Sequence, residues 1–122
     1  MAESKNSVLI KNRERILAKE IEQKRILNNL ETIDTCLLQL DILNTEREHL
    51  FEAEYQYISG GRYQHKFEQK MSYYNEVVTS LKNKLTHSVE ELEENHVTLT
   101  KEIQLLETEN DKIRREMTET HD

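Results

Sequence analysis

Proline and tryptophan are absent from the 122 residues, glycine occurs twice and cysteine once. With no proline, nothing in the chain forces a break in a helix. The single Cys36 cannot form an internal disulfide, so a reducing, intracellular setting is expected. No run approaches the roughly 18 apolar residues of a membrane span, and the opening MAESKNSVLIKNRE is too polar for a secretory signal. A basic excess is missing as well. The net charge is −7 and the bases are interleaved with acids, which argues against direct nucleic-acid binding. Nor is there a glycine-rich phosphate loop, a G-x-S-x-G elbow, an H-E-x-x-H pair or zinc-type Cys/His spacing. The sequence therefore implies no enzyme, no small-molecule substrate and no cofactor.

What is present is charge and helical periodicity. Charged residues make up 34% of the chain and hydrophobic ones 35%, the balance of elongated helices or coiled coils rather than of a thick globular core. From about residue 8 to 58 one heptad row runs Leu9, Ile16, Gln23, Leu30, Leu37, Asn44, Phe51 and Ile58. A second apolar row shows only in the middle, as Ile26, Ile33 and Leu40. Asn44-Thr45 followed by Glu48 matches a capping box, T-x-x-E, so a kink there is one option and an unbroken helix the other.

The middle of this first helix is apolar around much of its circumference. Ile26, Leu27, Leu30, Ile33, Leu37, Leu38, Leu40, Ile42 and Leu43, with Cys36 among them, exceed the narrow seam of a two-stranded coil. This band predicts contact with more than one neighbouring helix, through self-association or through another coiled-coil protein.

Ser59-Gly60-Gly61 is the one strong turn signal, because glycine adopts left-handed conformations without steric cost. The expected organisation is a single elongated domain. It has a frayed N-terminus at 1–7, helix 1 at 8–58, a Gly-Gly turn at 59–62 and helix 2 at 63–119. Helix 2 carries the most regular row, Met71, Val78, Leu85, Leu92, Leu99, Leu106 and Ile113. Tyr74 and Leu81 accompany it early, then Val89, His96, Ile103, Asn110 and Met117.

A leucine repeat of this kind invites a bZIP reading, but the segment before it lacks a dense basic region and is crowded with aromatics. Two features favour a chain folded back on itself. Folding about Gly61, so that facing residue numbers sum to about 122, sets Leu30 against Leu92, Leu37 against Leu85 and Ile16 against Leu106. Charge agrees: residues 1–34 hold seven bases and six acids, while residues 85–122 hold four bases and eleven acids. A parallel homodimer would align the acidic ends with each other. The fold expected is all-α, an antiparallel coiled-coil hairpin of two long helices that associates into a multi-helix assembly.

Two Glu-x-x-His units, Glu46-x-x-His49 and Glu93-x-x-His96, match the spacing used by di-iron helical bundles. The fold-back register does not bring them together, so no metal site is expected. Cys36 lies in the most apolar part of helix 1, where an inert buried thiol is expected. The aromatic stretch is the remaining candidate. Phe51, Tyr55, Tyr63 and Phe67 can fasten the turn shut, and a tip of Tyr55, Tyr57, Arg62, Tyr63, Tyr73 and Tyr74 can dock a partner. The function expected is that of a structural or adaptor subunit of an intracellular multiprotein complex. A parallel homodimeric rod, acting as spacer or cytoskeletal element, is the alternative, and a small coiled-coil regulator of a partner protein the third.

Overall fold

Ser4 sets where the first helix begins. Its hydroxyl oxygen accepts the Ser7 N–H at 3.1 Å and its carbonyl accepts the Val8 N–H at 3.2 Å, satisfying donors that a helix N-terminus leaves open. The computed structural model describes residues 4–58 and 60–121, and two helices account for nearly all of them: α1, Lys5–Ile58, and α2, Gln64–His121. Residues 1–3 of the expected frayed terminus, and Ser59 of the expected turn, lie outside the described residues. No strand occurs among those that are described, and the two helices pack against each other as a hairpin.

Helix α1 passes through Asn44-Thr45 without a break. The Thr45 hydroxyl donates to the Asp41 carbonyl oxygen one turn back, at 3.0 Å, so it serves the helix interior and not a cap. Asn44 meanwhile donates to the Glu48 carboxylate at 3.4 Å. The T-x-x-E signature is thus spent on side-chain contacts along one continuous helix.

The described chain divides into two compact units. A terminal unit joins the residues up to Asn29 with those from Glu91 on, and a turn unit comprises Leu30–Glu90. In the terminal unit, Lys5 pairs with Glu116 at 3.7 Å, Asn12 with Asn110 at 2.9 Å, Lys19 with Glu102 at 2.7 Å and Gln23 with Thr100 at 2.7 Å. As the α1 number rises its partner's falls, so the two segments run in opposite directions, and each pair of numbers adds to 121–123. In the turn unit Asp41 meets Lys82, and Arg47 meets Asn75 at 2.9 Å, in the same register.

Helix α1 turns a strict three-four row inward. Leu9, Asn12, Ile16, Lys19, Gln23 and Ile26 carry it in the terminal unit, and Leu30, Ile33, Leu37, Leu40, Asn44, Arg47 and Phe51 in the turn unit. From α2 the matching row is Met71, Val78, Lys82 and Leu85 in the turn unit. In the terminal unit it is Leu92, His96, Leu99, Ile103, Leu106, Asn110, Ile113 and Met117. Two helices alone cover only one side of each side chain, so most of these residues are half-buried. Among the described residues, the apolar side chains that become buried are Ile26, Phe67 and Ile103. Half-covering a leucine stabilises by roughly 1 kcal/mol, and the sum over both rows is what holds helices of this length against each other. No described helix is long and apolar enough to cross a membrane.

Candidate interaction surfaces

The turn is closed by backbone geometry and one glutamine. Gly60 sits at φ +82°, a left-handed conformation that costs an L side chain about 1–2 kcal/mol. Gly61 donates its N–H to the Ile58 carbonyl at 3.0 Å, and its own carbonyl accepts the Gln64 N–H at 3.2 Å, which opens α2. The Gln64 side chain then works in three directions. Its Oε1 accepts the Gly60 N–H at 2.7 Å, and its Nε2 donates to the Tyr55 hydroxyl at 3.1 Å and to Glu68 at 3.0 Å. One side chain thereby ties the end of α1, the turn and the start of α2 together.

Behind the turn lies an aromatic cluster. Phe67 is buried, with Phe51 edge-on to it at 5.5 Å between centroids and Tyr55 tilted against it at 6.1 Å. Tyr74 joins Phe51 at 5.9 Å. Arg47 closes the cluster on one side, its guanidinium 5.7 Å from the Phe51 ring and 5.6 Å from the Tyr74 ring, with Nη2 donating to Asn75 and Asn44. Its Nε is buried without a hydrogen-bond partner, so the planar cation is held by stacking as much as by donors.

Of the expected tip residues, Tyr55 and Tyr74 belong to this cluster, whereas Tyr57, Tyr63 and Tyr73 point outward. Tyr63, expected among the residues that fasten the turn, is exposed, and its ring and hydroxyl instead engage Arg62 at 4.8 and 2.6 Å. Tyr57 is 91% exposed. The structure therefore splits the aromatic stretch: one group shuts the turn, while Tyr57 stands in solvent, Tyr63 lies against Arg62, and Tyr73, exposed as well, sets its ring edge-on to Tyr74 at 5.9 Å.

The apolar band divides too. Ile26, Leu30, Ile33, Leu37 and Leu40 belong to the inward row of α1. Leu27, Leu38, Ile42 and Leu43 do not, and each remains more than half exposed, as does Leu50 beyond the band. Apolar residues spread around α1 so evenly that it has almost no amphipathic bias, whereas α2 has a clear one. The seven seam residues Met71, Val78, Leu85, Leu92, Leu99, Leu106 and Ile113 are all half-buried on the inward face of α2.

Cys36 is exposed, contrary to the expectation of a buried thiol, because it falls on the flank of α1 and not in its inward row. No group of three or more His, Cys, Asp or Glu side chains among the described residues is placed to hold a metal ion. Four residues that matter structurally escape a search for apolar rows: Asn12, Lys19 and Arg47, which extend the row of Ile26, Ile33 and Leu40 at the same spacing, and Gln64. The Asn12–Asn110 pair is the deepest polar feature, with 3% and 2% of the two residues exposed. Comparison of the chain with protein families, with curated proteins and with solved structures gives no match.

Proposed function

We propose that this chain is a non-enzymatic helical-hairpin coiled coil serving as a structural or adaptor subunit of an intracellular multiprotein complex. The observation that carries the reading is the apolar surface left exposed on α1 in the turn unit once its inward row is filled: Leu38 and Ile42 on its outer side, and Leu43 and Leu50 on the flank that Arg47 shares. An apolar face of this kind on a highly charged chain is the usual mark of a protein contact. A docked helix reads such a face as residues three, four and seven apart, and Leu38-Ile42 and Leu43-Leu50 supply those intervals. The outward tyrosines Tyr57 and Tyr63 offer a second contact surface at the turn, with Tyr73 exposed further along α2, where aromatic rings supply large contact area.

Because Leu38 and Ile42 do not belong to the inward row, Leu38→Asp with Ile42→Asp leaves the hairpin folded. Affinity purification of the tagged chain, quantified against this double variant, is expected to lose a defined set of co-purifying proteins while circular dichroism stays unchanged. An identical set from both chains refutes the role of this face. Tyr57→Ala with Tyr63→Ala then asks whether the tip carries the contact.

A further inference from the structure

One flank of the turn unit gathers apolar side chains from both helices. The Arg47 guanidinium lies against Tyr74, which fixes these two residues on the same side of the hairpin. Leu43 and Leu50 stand four before and three after Arg47 and so line that flank of α1, while Val77 and Leu81 follow Tyr74 by three and seven on α2. All five are at least partly exposed, Leu50 by 65% and Leu43 by 61%. The result is an apolar face two helices wide, in which Leu43 lies level with Leu81, and Leu50 with Tyr74, in the register set by Arg47–Asn75 and Asp41–Lys82.

Charge on the two helices decides what fits this face. On this flank α1 carries Glu46, three after Leu43, and Glu54, four after Leu50, beside Arg47, whereas α2 carries Lys70, four before Tyr74, and Lys84, three after Leu81. An object that presents the same two strips with the acidic one over the basic one would match it, and the chain itself is such an object. Two isologous arrangements are open to a pair of identical faces. A twofold axis across the helices stacks α1 on α1, acid on acid. A twofold axis along them stacks α1 of each copy on α2 of the other. Charge selects the second.

We propose that this flank of the turn unit is the seat of a second copy of the chain, laid face to face about an axis parallel to the helices. The proposal rests on the reading of the chain as an association element and names the partner of one of its faces. Leu43 then covers Leu81 of the second copy, and Leu50 covers Tyr74. Glu54, four residues beyond Leu50 on the same flank, comes over Lys70, four residues before Tyr74. The outcome is a four-helix arrangement in which half-buried and exposed leucines become enclosed, leaving Leu38 and Ile42, on the far side of α1, for a different helix.

Sedimentation of the purified full chain tests this, with circular dichroism as the control for folding. The wild-type chain is expected to sediment as a dimer at micromolar concentration, and Leu43→Glu is expected to weaken dimerisation at least tenfold without loss of helix. Glu54→Lys and Lys70→Glu are each expected to weaken it about three- to tenfold, since each homodimer then sets two like-charge pairs together. Mixing those two variants restores opposite pairs at both contacts, so the mixture is expected to form heterodimers of wild-type affinity. A monomer at about 100 μM, a dimer indifferent to Leu43→Glu, or a mixture that shows no rescue overturns the proposal. A separate loss of co-purifying proteins with Leu38→Asp and Ile42→Asp, alongside any of those results, leaves the association reading standing without the second copy.

Discussion

Asn12 and Asn110 are expected to behave as one unit when the seam is perturbed. Both are almost wholly buried, and the Asn12 Nδ2 donates to the Asn110 Oδ1 at 2.9 Å. Truncating Asn12 to alanine removes the donor and leaves the Asn110 oxygen buried without it. Losing one partner of a buried hydrogen bond costs about 1–3 kcal/mol, and alanine returns about 0.5 kcal/mol through helix propensity. A net loss of about 1–2 kcal/mol is therefore expected for Asn12→Ala, and the same for Asn110→Ala. The double variant abolishes the polar pair altogether, so it should cost less than the two singles together, with a coupling of about 1 kcal/mol. Replacing both by leucine should exceed the wild type in stability by roughly 1–3 kcal/mol, because buried apolar side chains replace a pair whose net value is small. That gain comes at the expense of alignment, since a buried, mutually bonded polar pair rewards only one register. Urea unfolding followed by circular dichroism at fixed protein concentration measures all four variants. Additive single-mutant effects, with coupling below about 0.3 kcal/mol, would show that the two amides do not act as partners and would refute the register.

Further outcomes follow from the turn and its cluster. Gly60→Ala is expected to cost about 1–2 kcal/mol from its positive φ alone, whereas the Cβ of Gly61→Ala meets only the Ile58 carbonyl oxygen at 3.3 Å and should cost less. Thermal unfolding ranks the two, and equal costs would contradict the left-handed assignment. Phe67→Ala removes the centre of the aromatic cluster and is expected to cost about 3–4 kcal/mol, seen first as faster amide exchange around residues 51–74. The half-buried Lys19–Glu102 pair still reaches solvent, so it should contribute about 1 kcal/mol or less and weaken with added salt. A large, salt-independent effect of Lys19→Met on urea unfolding would contradict that.

Much of the helical architecture is legible in the residues. The absence of proline, the single Gly-Gly turn and the heptads of α2 point to two helices, and opposing charge with a common fold-back centre points to the pairing that places Asn12 against Asn110. The hidden part has a physical reason. Apolar periodicity alone shows the inward row of α1 fading on either side of Ile26, Ile33 and Leu40. It continues as Asn12, Lys19 and Arg47, whose polar ends find partners on α2: an amide for Asn12, a carboxylate for Lys19, Asn75 and the Tyr74 ring for Arg47. The aromatic stretch could not be sorted from sequence either. Which tyrosines face water depends on the turn closed by Gly60 and Gln64, and that turn leaves Tyr63 outside while seating Tyr74 on Phe51. Cys36 shows the same limit: an apolar neighbourhood in sequence does not bury a residue on the flank of a two-helix seam.

The central claim is that each chain folds back on itself and pairs its own two helices. Spin labels at Arg13→Cys and Asp111→Cys, with Cys36→Ser, flank the Asn12–Asn110 layer on exposed positions. Pulsed electron–electron resonance on labelled chains diluted in unlabelled ones isolates the distance within a chain. Helix axes 8–10 Å apart predict a label separation of about 20–30 Å that survives dilution. A short distance that vanishes on dilution, or a separation far beyond that range, would place the partner helix in another chain and contradict the account.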